Sequence, residues 1–358
     1  MAFSLFLLNS LLLLTTLINF FTIRRPHPST LISERVLILL PMRNEEKNVA
    51  RIIGELERQE NLADFKVLII DDSSDDKTRQ IAESLLSSRV AVISAPPPPA
   101  GWIGKVSALQ AGYLSHHLEG VDYVISIDAD VSFAPDAISR AVTTLKDTEL
   151  DFLSPYPRQI ALTWSERLAQ PLLQWSWMST LLLRGAEKFP LQSTVVCNGQ
   201  FLVMKADSLT AIGGFESVAT HVLDDIELGR SFVRAGFKGA VIDGSQIAST
   251  RMYSSFKELS AGYGKSLHAA FGPPLGSLIA ALFIFATGIL PLALSFTGDV
   301  LAIAALIAII GTRLISSLAS SARLRDSFLH PASAALFIYL LYFSWRNRRV
   351  IQWKGRTI

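Results

Sequence analysis

Hydrophobic and polar positions divide the chain into three stretches with different rhythms. Residues 3–21, FSLFLLNSLLLLTTLINFF, carry no charge, and Arg24 and Arg25 follow at once. That run has the length of a bilayer-crossing helix. A cleaved secretory signal needs positive charge before the apolar run and a small-residue cleavage site after it; neither is present, so an uncleaved transmembrane anchor over residues 1–23 is expected. From residue 34 to about 154, short β-branched runs alternate with helical periodicity, the signature of a parallel α/β sheet. Strands are expected at 36–40, 66–70, 90–94 and 123–127, and helices at 47–59, 76–87, 105–115 and 136–145. After Asp207 the soluble rhythm resumes, with a strand at 239–242 and a helix over 256–270. The chain then turns apolar again: 276–296 and 300–317 read as a helical hairpin across the turn TGD, and 329–345 as a third apolar stretch.

The expected organisation is therefore an anchor at 1–23, a catalytic domain at 34–271, transmembrane helices within 276–345 and a basic tail at 346–358. The segment 164–189 holds three tryptophans and is too polar to span. An amphipathic helix lying in the lipid interface fits it, and so does an ordinary core helix. The positive-inside bias puts Arg24, Arg25 and the domain behind them in the cytoplasm, giving a multi-pass protein of the cell membrane. If all three C-terminal stretches cross, the basic tail ends outside, against that bias. A re-entrant or interfacial stretch, kinked at Pro291 or Pro331, is the open alternative.

Composition changes this picture little. Half the residues are hydrophobic and the net charge is +2, with no basic stripe in the soluble part, which excludes a nucleic-acid binder. Basic residues gather instead around the apolar segments, at Arg313, Arg323, Arg325, Arg346, Arg348, Arg349, Lys354 and Arg356, where anionic lipid head groups are their expected company. The lone Cys197 rules out an intrachain disulfide and reads as a small buried hydrophobe.

The chemistry lies at the strand ends, where open α/β sheets bind ligands. After successive strands come PMRNEE, DDSSDD, a proline-rich loop ending in GWIGK, and DAD. Asp128 and Asp130 of DAD can ligate Mg²⁺ or Mn²⁺ shared with a diphosphate. Asp72 is placed to accept hydrogen bonds from a base or ribose, and Asp71 supports the fold. Ser74 and Asp75 are expected to cap the next helix. Pro41 opens the first loop, Glu45 can reach a nucleotide, and Glu46 suits the first turn of a helix. Lys105, beside a glycine at a helix start, suits a phosphate or a base carbonyl. Of the pair before IELGRSFVRAGF, Asp225 can take a proton from an attacking hydroxyl, while Asp224 reads either as its partner or as a helix cap.

PMRNEE, DDSSDD, GK-x-x-AL, DAD, GG-FE and the acid pair, in this order, resemble the family-2 glycosyltransferases of GT-A fold, over residues 34 to 270. PPPPAGWIGK and TRMYSSFKELSAGYGKS resemble the branch of carotenoid (4,4'-diaponeurosporenoate) and hopanoid-associated glycosyltransferases. The resemblance implies a Rossmann-like mixed sheet, a UDP-sugar donor with Mg²⁺ or Mn²⁺, a lipid acceptor such as a carotenoid acid or hydroxyl, and inversion at the anomeric carbon. It gives Glu45 and Asp72 to the nucleoside, Lys105 to the donor side, Asp128 and Asp130 to metal and diphosphate, Asp225 to the base, and Gly199 and Gln200 to the acceptor-side loop. The Q-x-x-R-W motif of processive synthases is absent and Arg251–Met252–Tyr253 stands in its region, so one sugar, expected to be glucose, is transferred; Arg251 suits the diphosphate. Ceramide, hopanoid or polyprenyl phosphate are alternative acceptors, and a silent nucleotide-binding scaffold is the non-enzymatic alternative.

Overall fold

Val36 to Leu40 form an unbroken apolar run, and its alternate residues serve two cores. Val36, Ile38 and Leu40 pack with Val49, Ile52 and Ile138, whereas Leu37 and Leu39 pack with Val106, Leu109 and Phe232. A strand buried on both faces needs no polar alternation, which is why this run reads as it does. It belongs to an interior strand of a seven-stranded sheet. In chain order the strands are β1 (Ile32–Met42), β2 (Leu62–Asp71), β3 (Val90–Ser94), β4 (Tyr123–Ile127), β5 (Phe152–Tyr156), β6 (Phe201–Lys205) and β7 (Gly239–Asp243). Their order across the sheet is β3-β2-β1-β4-β6-β5-β7.

The computed structural model describes residues 1–115, 120–348, 352–353 and 356–357, so part of the basic tail, including Arg349 and Lys354, lies outside the described residues. The chain separates into a sheet unit, Arg24–Arg158 with Gly185–Thr250, and a helical unit, Met1–Ile23, Gln159–Arg184 and Arg251–Ile358. Residues 159–184 and 251–270, expected within a continuous 34–271, cluster with the long apolar helices.

In the sheet unit β3, β2, β1 and β4 run parallel, as the alternation of strands and helices implied. Strand β6 runs against both β4 and β5, and β5 is parallel to β7, so the sheet is mixed. The residue pattern of β6, FLVMK, is that of any buried strand; its direction follows from the long excursion before it, which replaces the short helical crossover that enforces parallel pairing. Pro41 lies inside β1, not after it. It stands opposite Ile70 of β2 and beyond Leu39, where the β1–β4 ladder ends.

The helical unit is built around Ala2–Thr22, which is apolar outside and polar inside. Its buried residues are Leu5, Asn9, Leu12, Thr16 and Asn19, one every three or four positions, while Phe3, Leu7, Leu11, Leu14 and Phe21 are exposed. Asn9 Nδ2 donates to the carbonyls of Thr287 and Ala305, each at 3.1 Å. Asn19 closes the end of the Trp164–Thr180 helix: its Nδ2 donates to Met178 O (2.8 Å) and Leu181 O (2.5 Å), and its Oδ1 accepts from Leu183 N (3.1 Å). Carbonyls left over at a helix end are thereby satisfied in an apolar setting. Within 164–189, Trp175 and Trp177 are buried, and Trp175 Nε1 donates to Thr312 Oγ1 at 2.7 Å. Among the described residues, four helices are long and apolar enough to cross a membrane: Ala2–Thr22, Pro274–Ser295, Val300–Ala319 and Leu324–Asn347.

Candidate active site

The first two strand ends are zipped together. Asn44 and Ser73 each take a left-handed φ of 54°, turning the chain sharply after β1 and β2. Asn44 N donates to Ser74 Oγ (3.1 Å) and Asn44 Oδ1 accepts from Asp75 N (2.8 Å). Glu45 N donates to Thr78 Oγ1 (2.7 Å), and Glu46 N to Asp76 Oδ2 (3.2 Å). Two expectations change here. Ser74 and Asp75 do not cap the next helix, which starts only at Thr78; Asp76 fills that part, accepting from Thr78 N at 2.9 Å. Glu46 likewise precedes its helix, which starts at Val49. Strained backbone of this kind recurs where a loop must hold a fixed shape around a ligand.

Asp72 is 3% exposed and is pinned by its own backbone: its N–H donates to Met42 O (2.8 Å), and its carbonyl accepts from Arg43 Nη1 (2.7 Å). Glu45 Oε2 accepts from Asn48 Nδ2 at 2.7 Å. Lys105 stands in the first turn of the Gly104–Ser115 helix, and its ammonium touches Asp128 Oδ1 at 2.5 Å. Burial alone would push its proton off, but the carboxylates of Asp128, Asp224 and Asp225 outweigh burial and raise its pKa. One cation thus sits in the field of acids from two loops far apart in sequence.

Asp130 is the most perturbed acid of the β4 end. Burial, then the charges of Asp128 and Glu45, push its carboxyl up to about 7. Its buried Oδ1 has no hydrogen-bond partner among the described residues. A buried carboxylate oxygen left without a donor asks for a cation. Asp128 and Asp130 fit a hard divalent ion that takes one or two protein carboxylates and completes its shell with water and phosphate oxygens. A closed all-protein cage is not built: no group of three or more His, Cys, Asp or Glu ligands is found among the described residues.

Asp224 is the first residue of the Asp224–Arg234 helix, whose cap is Leu223, and Asp225 is the second. Gly199 N donates to its Oδ2 at 2.8 Å, and Ile226 N to its Oδ1 at 2.8 Å. Burial, then the neighbouring charge of Asp224, raise its carboxyl to about 6, against the pull of the Gly199 N–H and Lys105. Gly199 is a glycine for a steric reason: a Cβ there would stand 3.1 Å from Lys105 Nζ and 3.3 Å from Asp225 Cβ. The loop is held by Asn198, whose Oδ1 accepts from Gln200 N (2.9 Å) and whose N–H donates to Ser154 Oγ (2.8 Å). Gln200 O in turn accepts from Asp128 N at 3.2 Å, tying this loop to the DAD turn.

The structure thus brings Lys105, Asp128, Gly199, Gln200, Asp224 and Asp225 together, with Asp130 and Glu45 within electrostatic reach. Arg251 belongs to the helical unit, where Nε donates to Oε1 of the buried Glu166 at 3.0 Å. Sequence reasoning missed Asn198 and Tyr156. Tyr156 ends β5; burial, and then the charge of Asp225, raise the pKa of its phenol, as they raise that of the Cys197 thiol. Nothing in the local pattern marks either residue, since both depend on which strand lies beside which.

The family model of glycosyl transferase family 2 matches residues 37–211, a span that holds the second half of β1, all of β2 to β6, the DAD turn and the Asn198–Gln200 loop. Residues 37–211 form a glycosyl transferase family 2 domain. The chain is 23% identical over 338 residues to a 4,4'-diaponeurosporenoate glycosyltransferase of Staphylococcus aureus strain USA300, covering 89% of this chain and 87% of that one. The same enzyme from strain MRSA252 matches at the same identity and coverage. Among solved structures, a mannosyltransferase of Pyrobaculum calidifontis, determined with GDP-Man and Mn²⁺, aligns with a TM-score of 0.52 at 15% identity, over 99% of this chain and 100% of that one. That likeness is one of fold, the GT-A arrangement of a mixed α/β sheet.

Proposed function

We propose that this glycosyltransferase moves a single sugar, glucose, from a UDP-sugar to the hydroxyl or carboxyl of a membrane lipid of carotenoid type, inverting the anomeric centre. The observation that carries the reading is the meeting of two perturbed acids, Asp130 and Asp225, in the field of one lysine, Lys105. Acids whose environments move their pKa values toward neutrality, and which share one cation, suit charge neutralisation on one side and proton removal on the other.

In this reading Glu45 and Asp72, beyond the strand end that holds Pro41, face the nucleoside, and Asp128 and Asp130 would hold Mg²⁺ or Mn²⁺ for the diphosphate. The metal, when bound, neutralises negative charge on the departing diphosphate. Lys105 lies beside Asp128 and adds a second positive charge near the leaving group. Asp225, oriented by the Gly199 N–H, accepts the proton of an acceptor hydroxyl, or orients an acceptor that is already a carboxylate. Asp224 keeps the Asp225 carboxyl basic enough to do so. Gly199 and Gln200 line the acceptor side. The 4,4'-diaponeurosporenoate in the relatives' name and the four apolar helices support a lipid acceptor in a cell membrane, with the sheet unit on the cytoplasmic side behind Arg24 and Arg25.

The test is UDP release by the full chain with membrane extract, for wild type, Asp130→Ala and Asp225→Asn. Turnover is expected to fall by roughly 10²-fold or more in both variants. Unchanged turnover in either removes its assigned role. Mass spectrometry of lipids from cells with and without the protein then names the acceptor; a hexose-sized shift on ceramide, hopanoid or polyprenyl phosphate would replace the carotenoid assignment.

A further inference from the structure

The helical unit buries a second group of polar side chains that the sugar-transfer reading does not use. Arg313 is 1% exposed and His330 fully buried. Arg313 Nε and Nη2, both His330 ring nitrogens, Ser316 Oγ and Ser333 Oγ have no hydrogen-bond partner among the described residues. Arg313 and Ser316 lie one turn apart on the Val300–Ala319 helix, and His330 and Ser333 one turn apart at the start of the His330–Asn347 helix, so each pair shares a helix face. The two helices pack together, and Arg313 and His330 are within electrostatic reach of each other. A third wall is the π-helical turn Phe285–Ile289, where Gly288 presents backbone: a Cβ there would stand 3.2 Å from His330 Nε2. On its other side His330 meets the Trp175 ring edge-on, with centroids 4.8 Å apart.

Buried donors pair in nearly all native structures, and an unpaired guanidinium among apolar helices is the costliest exception. The carboxylate within reach of Arg313 is already taken. Asp326 Oδ1 accepts from Arg167 Nε (2.9 Å) and Nη2 (2.5 Å), and its Oδ2 lies 4.0 Å from Arg323 Nε. Three guanidinium groups therefore surround one carboxylate, and negative charge is missing. The chemistry of the missing group follows from the edge left open. Arg24, Arg167 and Arg251 each hold a carboxylate through Nε and Nη2, the two nitrogens that Arg313 leaves unmatched. That edge takes an oxyanion side-on.

We propose that Arg313, Ser316, His330 and Ser333 form a binding site for the oxyanion head group of an anionic lipid, a phosphate or carboxylate gripped by Arg313 and further bonded by the two hydroxyls and the imidazole. A lipid is favoured over a free ion because the same helix exposes apolar side chains to its surroundings, Ile307 at 66% and Leu318 at 54% among them.

The experiment compares full-length wild type and Arg313→Met in phosphatidylcholine nanodiscs with and without phosphatidylglycerol, and with oleate or inorganic phosphate added. Thermal unfolding and native mass spectrometry are the readouts. The site predicts that phosphatidylglycerol or oleate raises the wild-type unfolding midpoint and is retained, and that Arg313→Met loses both effects and melts lower. If the cluster holds only water, methionine relieves an unpaired buried charge, so a variant that melts higher, or retains as much lipid, overturns the proposal. A midpoint raised by inorganic phosphate but by neither lipid overturns the lipid assignment. Should Arg313→Met not accumulate, Ser316→Ala with Ser333→Ala decides: about tenfold weaker retention of phosphatidylglycerol supports the site, and wild-type retention sinks it.

Discussion

Replacing Asp225 by asparagine should stabilise the protein while disabling it. In the fold the Asp225 carboxyl titrates at about 6, against 3.8 for the free side chain, because burial and Asp224 oppose its charge. A shift of about 2 units corresponds to ~3 kcal/mol of preference for the neutral form. Asparagine stays neutral but can keep only one of the two backbone N–H bonds from Gly199 and Ile226, which returns ~1 kcal/mol. Because Asp225 is half-buried, solvent screening trims the remainder, and a net gain of about 1 kcal/mol is expected at neutral pH. The sign depends on pH. A folded pKa above the unfolded one means that the native state binds its proton more tightly, so the carboxylate's cost is absent below about pH 4, grows between 4 and 6, and is complete above 6. Thermal unfolding of wild type and Asp225→Asn in the same nanodiscs at pH 4.0 and pH 7.5 reads this directly, with UDP release measured alongside. A variant that melts lower at pH 7.5, or a difference that does not change with pH, would refute the argument that Asp225 is held as a costly buried base.

Three further outcomes follow from the geometry. Lys105→Met frees Asp128 from its ion pair, so the full chain at pH 8 without nucleotide should bind Mn²⁺ more tightly, by calorimetry or by Mn²⁺ resonance; equal or weaker binding means that the ammonium does not compete for that carboxylate. Gly199→Ala puts a methyl 3.1 Å from Lys105 Nζ and 3.3 Å from Asp225 Cβ, and turnover should fall between about tenfold and 100-fold with the unfolding midpoint unchanged. Asn19→Leu leaves the carbonyls of Met178 and Leu181 and the Leu183 N–H without partners, a loss of ~2–4 kcal/mol seen as a lower midpoint; an unchanged midpoint would mean that these groups find other partners.

Much of the sheet unit was legible in order. Unbroken β-branched runs such as Val36–Leu40, bounded by polar loops, read as strands buried on both faces, and the acids that follow such runs, Asp72, Asp128 and Asp130, lie at strand ends. The apolar run Ala2–Thr22 was legible as a long helix by length alone, yet its polar residues Asn9, Thr16 and Asn19 gave no sign of forming its buried face. Hydrophobic periodicity states which positions are buried, and in a lipid-facing helix the rule inverts.

Direction and partnership were settled only by the fold. Strand β6 carries the same pattern whichever way it runs, and because it runs antiparallel to β4 the Asn198–Gln200 loop arrives beside the DAD turn, where Gly199 meets Asp225. Arg251 and Glu166 are far apart in sequence and paired in space, and the carboxylate reserved for Arg167 leaves Arg313 unmatched. The sequence thus determined the residue types at each strand end and the length of each apolar helix. Which charges face one another is a property of long-range packing, and no local spacing encodes it.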